Sequence, residues 1–281
     1  MAFEPIVDGE KAAYSVNFVR TKNLSMDEHQ EIKAFLDEKV RHYNTIDFIT
    51  LDPVAVPHAF TRKEDIEIAG LLTASIAWGN RKAILKSARQ LMIWMDNDPY
   101  DFVMHASANE WSTIGRFIYR TFNGTDARFF LDALKNIYTK HGGLEAVFTR
   151  GYRQDSTIKS ALQYFRKVFL SAPHPARSEK HVASPDKGSS AKRLNMYLRW
   201  MVRHDESGVD FGLWKHIPAG ALMIPLDVHS GTQARSLGLL HRKQNDWKAV
   251  EELTETLRKF DPGDPVKYDF ALFGMGVNNG Q

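Results

Sequence analysis

The chain has 281 residues, of which 43% are hydrophobic and 25% charged, with a formal net charge of +3. A chain of this length and composition can bury a substantial core, as one large domain or two small lobes, which excludes a largely disordered protein. It contains no cysteine, which excludes disulfides, thiol catalysis and thiolate-bound zinc or iron–sulfur centres.

The first residues of the chain carry neither the basic nor the apolar region of a secretion signal. No uninterrupted apolar stretch approaches the ~20 residues that a membrane-spanning helix requires. We therefore expect a cytoplasmic protein without a membrane partner.

Helical signals dominate the first two thirds of the chain. Ser25 and Thr61 are each followed three residues later by Glu, the spacing of a capping box at the start of a helix. Helical spacing of apolar residues also marks residues 81–95, 126–140 and 156–170. No convincing run alternates as a β-strand would, although a short strand is compatible with the sequence. The sequence predicts an all-α fold.

A two-faced helix is predicted at residues 192–203, between loops at 171–190 and 204–218. At 100° per residue, Arg199 and Arg203 return to within about 20° of Lys192, so these side chains share a polar face with Asn195. Residues 174–203 contain seven Lys or Arg and only two acidic residues. Such a concentration is typical of phosphate binding, and the alternative is a solvated basic face.

Two local features flank this helix. The turn Gly188-Ser189-Ser190 precedes Lys192, and small residues there leave backbone amides open to an anion at the helix start. Further along, Asp227 occupies a typical N-cap position, and Gly238 is placed where a short helix would end. On its own, the second feature indicates only a capped helix.

Together these residues resemble the helix-hairpin-helix DNA glycosylases. The similarity covers residues 184–240: a hairpin glycine four positions before a lysine, then Pro225-x-Asp-x-His229, then Leu237-Gly-Leu. Residues 62–95 are similar to the opening of the helical barrel of that superfamily. The whole chain resembles a bacterial branch catalogued as a domain of unknown function.

The resemblance implies a single two-lobed helical domain over residues 1–281, with a helix-hairpin-helix element and a cleft between the lobes. Residues 60–200 would form the helical barrel that includes the hairpin. Residues 1–59 and 201–281 would form the second lobe. No cofactor and no metal are implied.

The resemblance also assigns roles by position. Lys192 matches the nucleophile of the lyase-type enzymes, Asp227 the essential carboxylate, and His229 a residue that contacts DNA. Gly188 and Ser190 match the two hairpin glycines, but Ser190 departs from the usual Gly and the usual Leu-Pro opening is not recognisable. The 35 positions between Lys192 and Asp227 are more than in most members and are similar to the archaeal 8-oxoguanine glycosylases. The loop 204–218 would be the insertion.

Further residues are expected to contact the damaged DNA, since the target base must leave the stack to be excised. The expected DNA contacts are Asn80, Arg81, Gly188, Ser189, Ser190, Arg199, Arg203 and His229. Candidates for the base pocket are Trp200, Phe211, Trp214, Phe273 and Asp269. The alternative for the aromatic residues is the core, and the alternative for Asp269 is a cap or an ion pair with Lys267.

The resemblance thus predicts a base-excision repair enzyme, a DNA glycosylase with AP-lyase activity that removes an oxidised purine such as 8-oxoguanine. Its partner would be double-stranded DNA with a damaged base, bound by a monomer at the bacterial nucleoid. The alternative is a non-catalytic DNA-binding protein that keeps the fold without the chemistry.

Overall fold

The computed structural model describes residues 26–278, which fold as an all-α protein with one small hairpin. The α-helices are α1 (Met26–Tyr43), α2 (Asp47–Leu51), α3 (Lys63–Ser75), α4 (Arg81–Trp94), α5 (Pro99–His105), α6 (Ala108–Ile114), α7 (Gly124–Lys140), α8 (Leu144–Asp155), α9 (Ile158–Phe169), α10 (Lys192–Val202), α11 (Val228–Ser236), α12 (Trp247–Phe260) and α13 (Tyr268–Asn278). Short 3-10 helices occur at Pro53–Ala55, Pro57–Ala59, Ala176–His181, Pro185–Lys187, Ala219–Ala221 and Pro265–Lys267. Strands β1 (Ile118–Tyr119) and β2 (Phe122–Asn123) form the antiparallel hairpin.

The central helix of the fold is α3, which is buried continuously from Asp65 to Ser75. It packs along α10, and Gly70 lies against two side chains of that helix. A Cβ at Gly70 would lie 3.2 Å from the side chains of both Tyr197 and Met201. This packing fixes α10, and therefore the position of Lys192 at its first turn.

Helices from the two ends of the described chain pack against one another. Helix α13 contacts both α1 and α11, so the C-terminal helix lies between an N-terminal helix and the helix that Asp227 caps. One continuous hydrophobic core runs through the described residues. The division into two lobes, with residues 60–200 in one of them, stays a prediction.

Several predicted helices are confirmed with small shifts of their ends. Residues 81–95, 126–140 and 156–170 correspond to α4, α7 and α9. The prediction of a capping box at Thr61 is wrong: Arg62 is the N-cap of α3, without a side-chain cap hydrogen bond, and its Nε lies 3.3 Å from Glu64 instead. The predicted cap at Ser25 lies outside the described residues.

The β1–β2 hairpin is consistent with the sequence, which left a short strand open: its strands have two residues each, too few to show an alternating pattern. The region before α10 differs from the resemblance. The turn at Gly188 follows the three-residue 3-10 helix Pro185–Lys187, whereas α9 already ends at Phe169. A prolyl ring at residue 185 fits the first turn of such a short helix but not the interior of a long one. The turn at Gly188, which the resemblance matches to the hairpin of a helix-hairpin-helix element, therefore has no α-helix directly before it.

None of the described helices combines the length and the apolar character that a membrane crossing requires.

Trp214, predicted in the base pocket, is instead a core residue. Its Nε1–H donates to Oε1 of the buried Glu67 at 2.6 Å, and the Tyr138 hydroxyl donates to Oε2 of the same carboxylate at 2.6 Å. Burial raises the pKa of Glu67 to about 7, against the opposing effect of these hydrogen bonds and of Lys63. The core accommodates a large aromatic ring with one polar atom because Glu67 satisfies that atom.

Glu67 should make the protein less stable as the pH rises. Its folded-state pKa lies above the unfolded one, so the folded state holds the proton longer and loses stability between about pH 4.5 and pH 7. The loss should reach about 3 kcal/mol, from 1.36 kcal/mol per pKa unit. Glu67→Gln, measured by chemical denaturation at several pH values, should remove this part of the dependence. The exposed Glu31→Gln is the control, and the same pH dependence in wild type and Glu67→Gln would contradict the prediction.

Candidate active site

A cavity of about 1100 Å³ brings together residues that are distant in the sequence. Its walls come from residues 51–53, 77–85, 190–199, 226–229 and 269–277, together with single residues from α2 and from the loop before α12. The first turns of α4 and α10, the start of α11 and the middle of α13 thus meet at one place. Lys192 and Asp227 both line this cavity.

Lys192 opens α10 and points its amine into the cavity. The Nζ atom lies 3.8 Å from Oδ2 of Asp227 and 3.6 Å from the sulfur of Met196. About a quarter of the Lys192 side chain is exposed, so its amine is both held and accessible to a ligand. The structure brings the two residues of the predicted catalytic pair within reach of one another.

Asp227 is fixed by the helix that it caps. Its Oδ1 accepts from the backbone N–H of Ser230 at 3.0 Å, and the Ser230 hydroxyl accepts from the Asp227 backbone N–H in return. This confirms the predicted N-cap, and Gly238 follows the end of α11 with a φ of +72°. One carboxylate oxygen is used in the cap, and the other is directed at Lys192.

Two further carboxylates line the same cavity. Burial raises the pKa of Asp269 to about 7, with Asp227 adding to the shift and Arg199 opposing it. Asp269 forms an ion pair with Arg199, so the alternative of a pair with Lys267 is wrong: Lys267 binds Asp37 and Asp261. The amine of Lys267 and the carboxylate of Asp269 belong to different clusters although only two positions separate them.

Asp52 was missed by the sequence reasoning. Its Oδ1 accepts from the backbone N–H of Val54 at 3.0 Å and so caps the 3-10 helix Pro53–Ala55, while burial raises the pKa of the carboxyl. The Asp-Pro pair was a visible signal for a cap. No local signal indicates that Asp52 lies at the cavity, because tertiary packing alone brings it beside Lys192.

Beyond Lys192, the predicted polar face of α10 is buried. Arg199 and Arg203 are 3% and 2% exposed, and Asn195 is buried as well. Arg199 binds Asp210 and Asp269, whereas Arg203 binds Asp205, Asp210 and Asp264. The prediction that Arg199 and Arg203 contact a DNA backbone is therefore wrong, because their guanidinium groups are already saturated by carboxylates.

Of the aromatic residues predicted in the base pocket, only some line the cavity. Trp200 is fully buried in the core, and Phe211 stacks on His58 away from the cavity, so neither lines a base pocket. Phe273 does line the cavity, with the Arg81 guanidinium 5.3 Å from its ring centroid. Trp78 also lines the cavity and was missed.

Trp78 is held firmly at its position. The Arg193 guanidinium lies 4.8 Å from its ring centroid, and the Tyr119 hydroxyl donates to its backbone carbonyl at 2.5 Å. Arg193 also donates to the backbone carbonyl of Ser75. A tryptophan beside the Gly79-Asn80 turn was visible in the sequence, but its exposure to a cavity was not.

Some of the remaining predicted DNA contacts line the cavity and others do not. Asn80, Arg81, Ser190 and His229 line it. Asn80 also caps α4, since its side-chain oxygen accepts from the backbone N–H of Ala83. The predicted contacts Gly188 and Ser189 do not line it: Gly188 turns the chain with a φ of +81°, and Ser189 forms an isolated bridge with Asp246.

Among residues 26–278, no group of three or more His, Asp or Glu side chains is arranged to hold a metal ion.

A family model described as a protein of unknown function, DUF2400, matches residues 52–278. The chain belongs to the DUF2400 family. Comparison with curated proteins and with solved structures gave no match. The family match begins at Asp52 and includes Lys192, Asp227 and Asp269. The residues of the candidate site that carry these charges all lie within the part of the chain that matches the DUF2400 family.

The chemistry open to this DUF2400 site follows from its groups. A primary amine lies beside a carboxylate oxygen that the helix cap does not use, which suits a nucleophile paired with a group that stabilises positive charge or transfers a proton. The aromatic rings of Trp78 and Phe273 offer flat apolar contact, and Asp52 and Asp269 offer polar contact. The cavity thus combines a reactive amine with walls that suit a flat, polar-edged ligand.

Proposed function

We propose that this protein is a DNA glycosylase with associated AP-lyase activity, which removes an oxidised purine from double-stranded DNA. The observation that carries the proposal is the approach of the Lys192 amine to Asp227 Oδ2 at 3.8 Å inside a large cavity. The resemblance of residues 184–240 to the helix-hairpin-helix glycosylases supports the same roles. The hairpin itself is less similar, since Ser190 replaces a glycine and a 3-10 helix precedes the turn.

In the proposed reaction, the unprotonated Lys192 amine attacks C1′ of the damaged nucleotide. A bond forms between Nζ and C1′ while the bond from C1′ to the base breaks, and the electron pair leaves with the base, which takes up the proton that Nζ releases. The sugar then opens: the C1′–O4′ bond breaks as a C1′–N double bond forms, and O4′ takes up the second proton of Nζ. The 3′ phosphate can be eliminated from this imine to cut the strand. Asp227 would stabilise the positive charge that develops on the sugar.

The excised base would occupy the inner part of the cavity. A base can reach Lys192 only after it leaves the duplex, which costs a few kcal/mol and is repaid by stacking and by polar contacts in the pocket. Trp78 and Phe273 would supply the stacking surfaces, and Asp269 would contact a polar edge. The protein would act as a monomer on one lesion at a time.

Asp227→Asn should slow base release by at least about 10²–10³-fold, because it removes negative charge from the transition state. The measurement is single-turnover excision from duplexes that carry a panel of damaged bases, including 8-oxoguanine. Binding of the same duplexes should change little. Asn is as good an N-cap as Asp, so the variant should keep α11 and fold normally, which a thermal unfolding curve checks.

The same experiment separates the enzyme from its rival. If wild-type protein binds lesion duplexes but releases no base from any of them, the non-catalytic DNA-binding protein is the better description. If Asp227→Asn excises as fast as wild type, the carboxylate has no part in the chemistry.

A further inference from the structure

Helix α4 lies in a stretch of the chain without any acidic residue. From residue 68 to residue 95 there is no Asp or Glu, whereas α4 itself carries Arg81, Lys82, Lys86 and Arg89. A second acid-free stretch, residues 111–125, contains the hairpin and carries Arg116 and Arg120. Within the described residues, none of these six cations forms an ion pair with a carboxylate.

Three of the cations form a row on the exposed side of α4. Lys82, Lys86 and Arg89 are spaced i, i+4 and i+7, which places them on one helix face, and all three are exposed. We call them the α4 stripe. The opposite face of α4, which includes Ile84 and Leu91, is buried in the core. The stripe is therefore held on a rigid element.

The α4 stripe begins at the cavity. Lys82 lines the cavity that holds Lys192, and the stripe leads away from it for about 10 Å of helix axis, from 1.5 Å of rise per residue. One strand of B-DNA carries a phosphate for every ~3.4 Å of duplex axis. The stripe is thus about as long as three phosphate intervals, so its three cations span about four successive phosphates of one strand.

The β1–β2 hairpin contacts the cavity wall beside the start of α4. Gly79, which lines the cavity, has a φ of +94°, and a Cβ there would collide with the Arg120 guanidinium. The positive φ favours glycine at this position, and the missing Cβ leaves room for the Arg120 guanidinium beside the turn that leads into α4. With Arg120 at the turn and Lys82, Lys86 and Arg89 beyond it, unpaired positive charge extends from the edge of the cavity outward along α4.

We infer that the α4 stripe is the track that binds the phosphate backbone of the nucleic acid, in place of the α10 face that the sequence indicated. The unpaired charge of the stripe, its length and its start at the cavity all fit one strand of a duplex. Arg199 and Arg203 of α10 lack unpaired charge, because each forms ion pairs with aspartates. The identity of the partner as DNA rests on the proposed function.

The test is the variant Lys82→Gln/Lys86→Gln/Arg89→Gln, assayed in the full chain for binding to an undamaged duplex over a range of salt concentrations. Gln has a helix propensity close to those of Lys and Arg, so α4 should remain folded. Affinity should fall on the order of a hundredfold near 0.1 M salt. The slope of log affinity against log salt should become shallower by about 0.9 for each phosphate that the variant no longer neutralises.

The matched control is Lys140→Gln/Arg153→Gln/Lys167→Gln, which removes the same number of charges from exposed helical positions that do not line the cavity. It should retain a salt slope close to that of wild type. A second variant, Lys82→Arg/Lys86→Arg/Arg89→Lys, keeps the charge and should restore most of the affinity. If both charge-removing variants weaken binding equally, only total charge matters and the inference is overturned.

Two further outcomes also overturn it: no measurable duplex binding by wild type, or binding only to anionic lipid vesicles run in parallel. The binding assay contains no lesion, so its result does not depend on catalysis. Wild type that binds through the α4 stripe but excises nothing contradicts the proposed function alone. Excision with unchanged binding by the stripe variant contradicts the inference alone.

Discussion

Replacing Lys192 by Gln is expected to abolish the covalent adduct that borohydride would trap between the wild-type protein and a lesion duplex. Only a primary amine can form a reducible imine with the sugar, and an amide nitrogen cannot. Adduct yield and base release should both fall, on the order of 10³-fold or more, as when the nucleophile of an enzyme is removed. Duplex affinity should fall far less, because only a single cation is removed.

The controls for this variant follow from the cavity. Lys192 is one quarter exposed, so Gln should be accommodated with little loss of stability, which thermal unfolding would show. Lys82 is a second amine on the cavity wall. An adduct that persists in Lys192→Gln and disappears in Lys82→Gln would assign the nucleophile to Lys82. No adduct with wild type on any lesion would remove the lyase step from the proposal.

Helices with one buried face were predictable from the sequence. In α4, α7 and α9 the apolar residues that recur at the helical period pack inward, so periodicity alone located these helices. The hairpin β1–β2 was not predictable in this way, since its two-residue strands are too short to show a period. The start of α3 was misplaced because a side chain that could cap a helix need not be the one that does.

The same period misled at α10. It correctly grouped Lys192, Asn195, Arg199 and Arg203 on one side of the helix, but it carries no information on what covers that side. Asp210 comes from the loop 204–218 that follows the helix, whereas Asp264 and Asp269 lie 61 and 70 positions beyond the arginines that they bind. A polar face therefore turned out to be a buried ionic layer.

The candidate site was predictable where a motif carried it. The residues around Lys192 and Asp227 stood out through their resemblance to a known pattern, and the cap at Asp227 had its own local signal. Asp52 and Trp78 reach the cavity only through the packing of α2, α4 and the turns beside them. The α4 stripe was visible as an acid-free stretch, but its exposure and its start at the cavity depend on the fold.

The buried layer behind α10 leads to the second prediction with a large effect. Arg203 contacts three carboxylates, with 3.0 Å to Asp210 and 2.9 Å to Asp264, and its guanidinium lies 5.3 Å from the centroid of the Phe270 ring. Although burial alone would lower the pKa of Arg203, the surrounding aspartates raise it, so the side chain stays charged. Arg203 and Arg199 are therefore the two cations that pair with the aspartates behind α10.

Arg203→Ala should lower the free energy of unfolding by about 3–5 kcal/mol, because it leaves buried carboxylates without their partner. Equilibrium denaturation of wild type and variant measures the loss. Arg153→Ala, at an exposed helical site, is the control and should stay within about 0.5 kcal/mol of wild type. Arg203→Lys keeps the charge but not the planar fork that reaches several carboxylates at once, so its loss should be intermediate. The prediction would be contradicted if Arg203→Ala were as stable as wild type. If its duplex affinity and salt slope also fell, Arg203 would contact DNA, as the sequence first indicated.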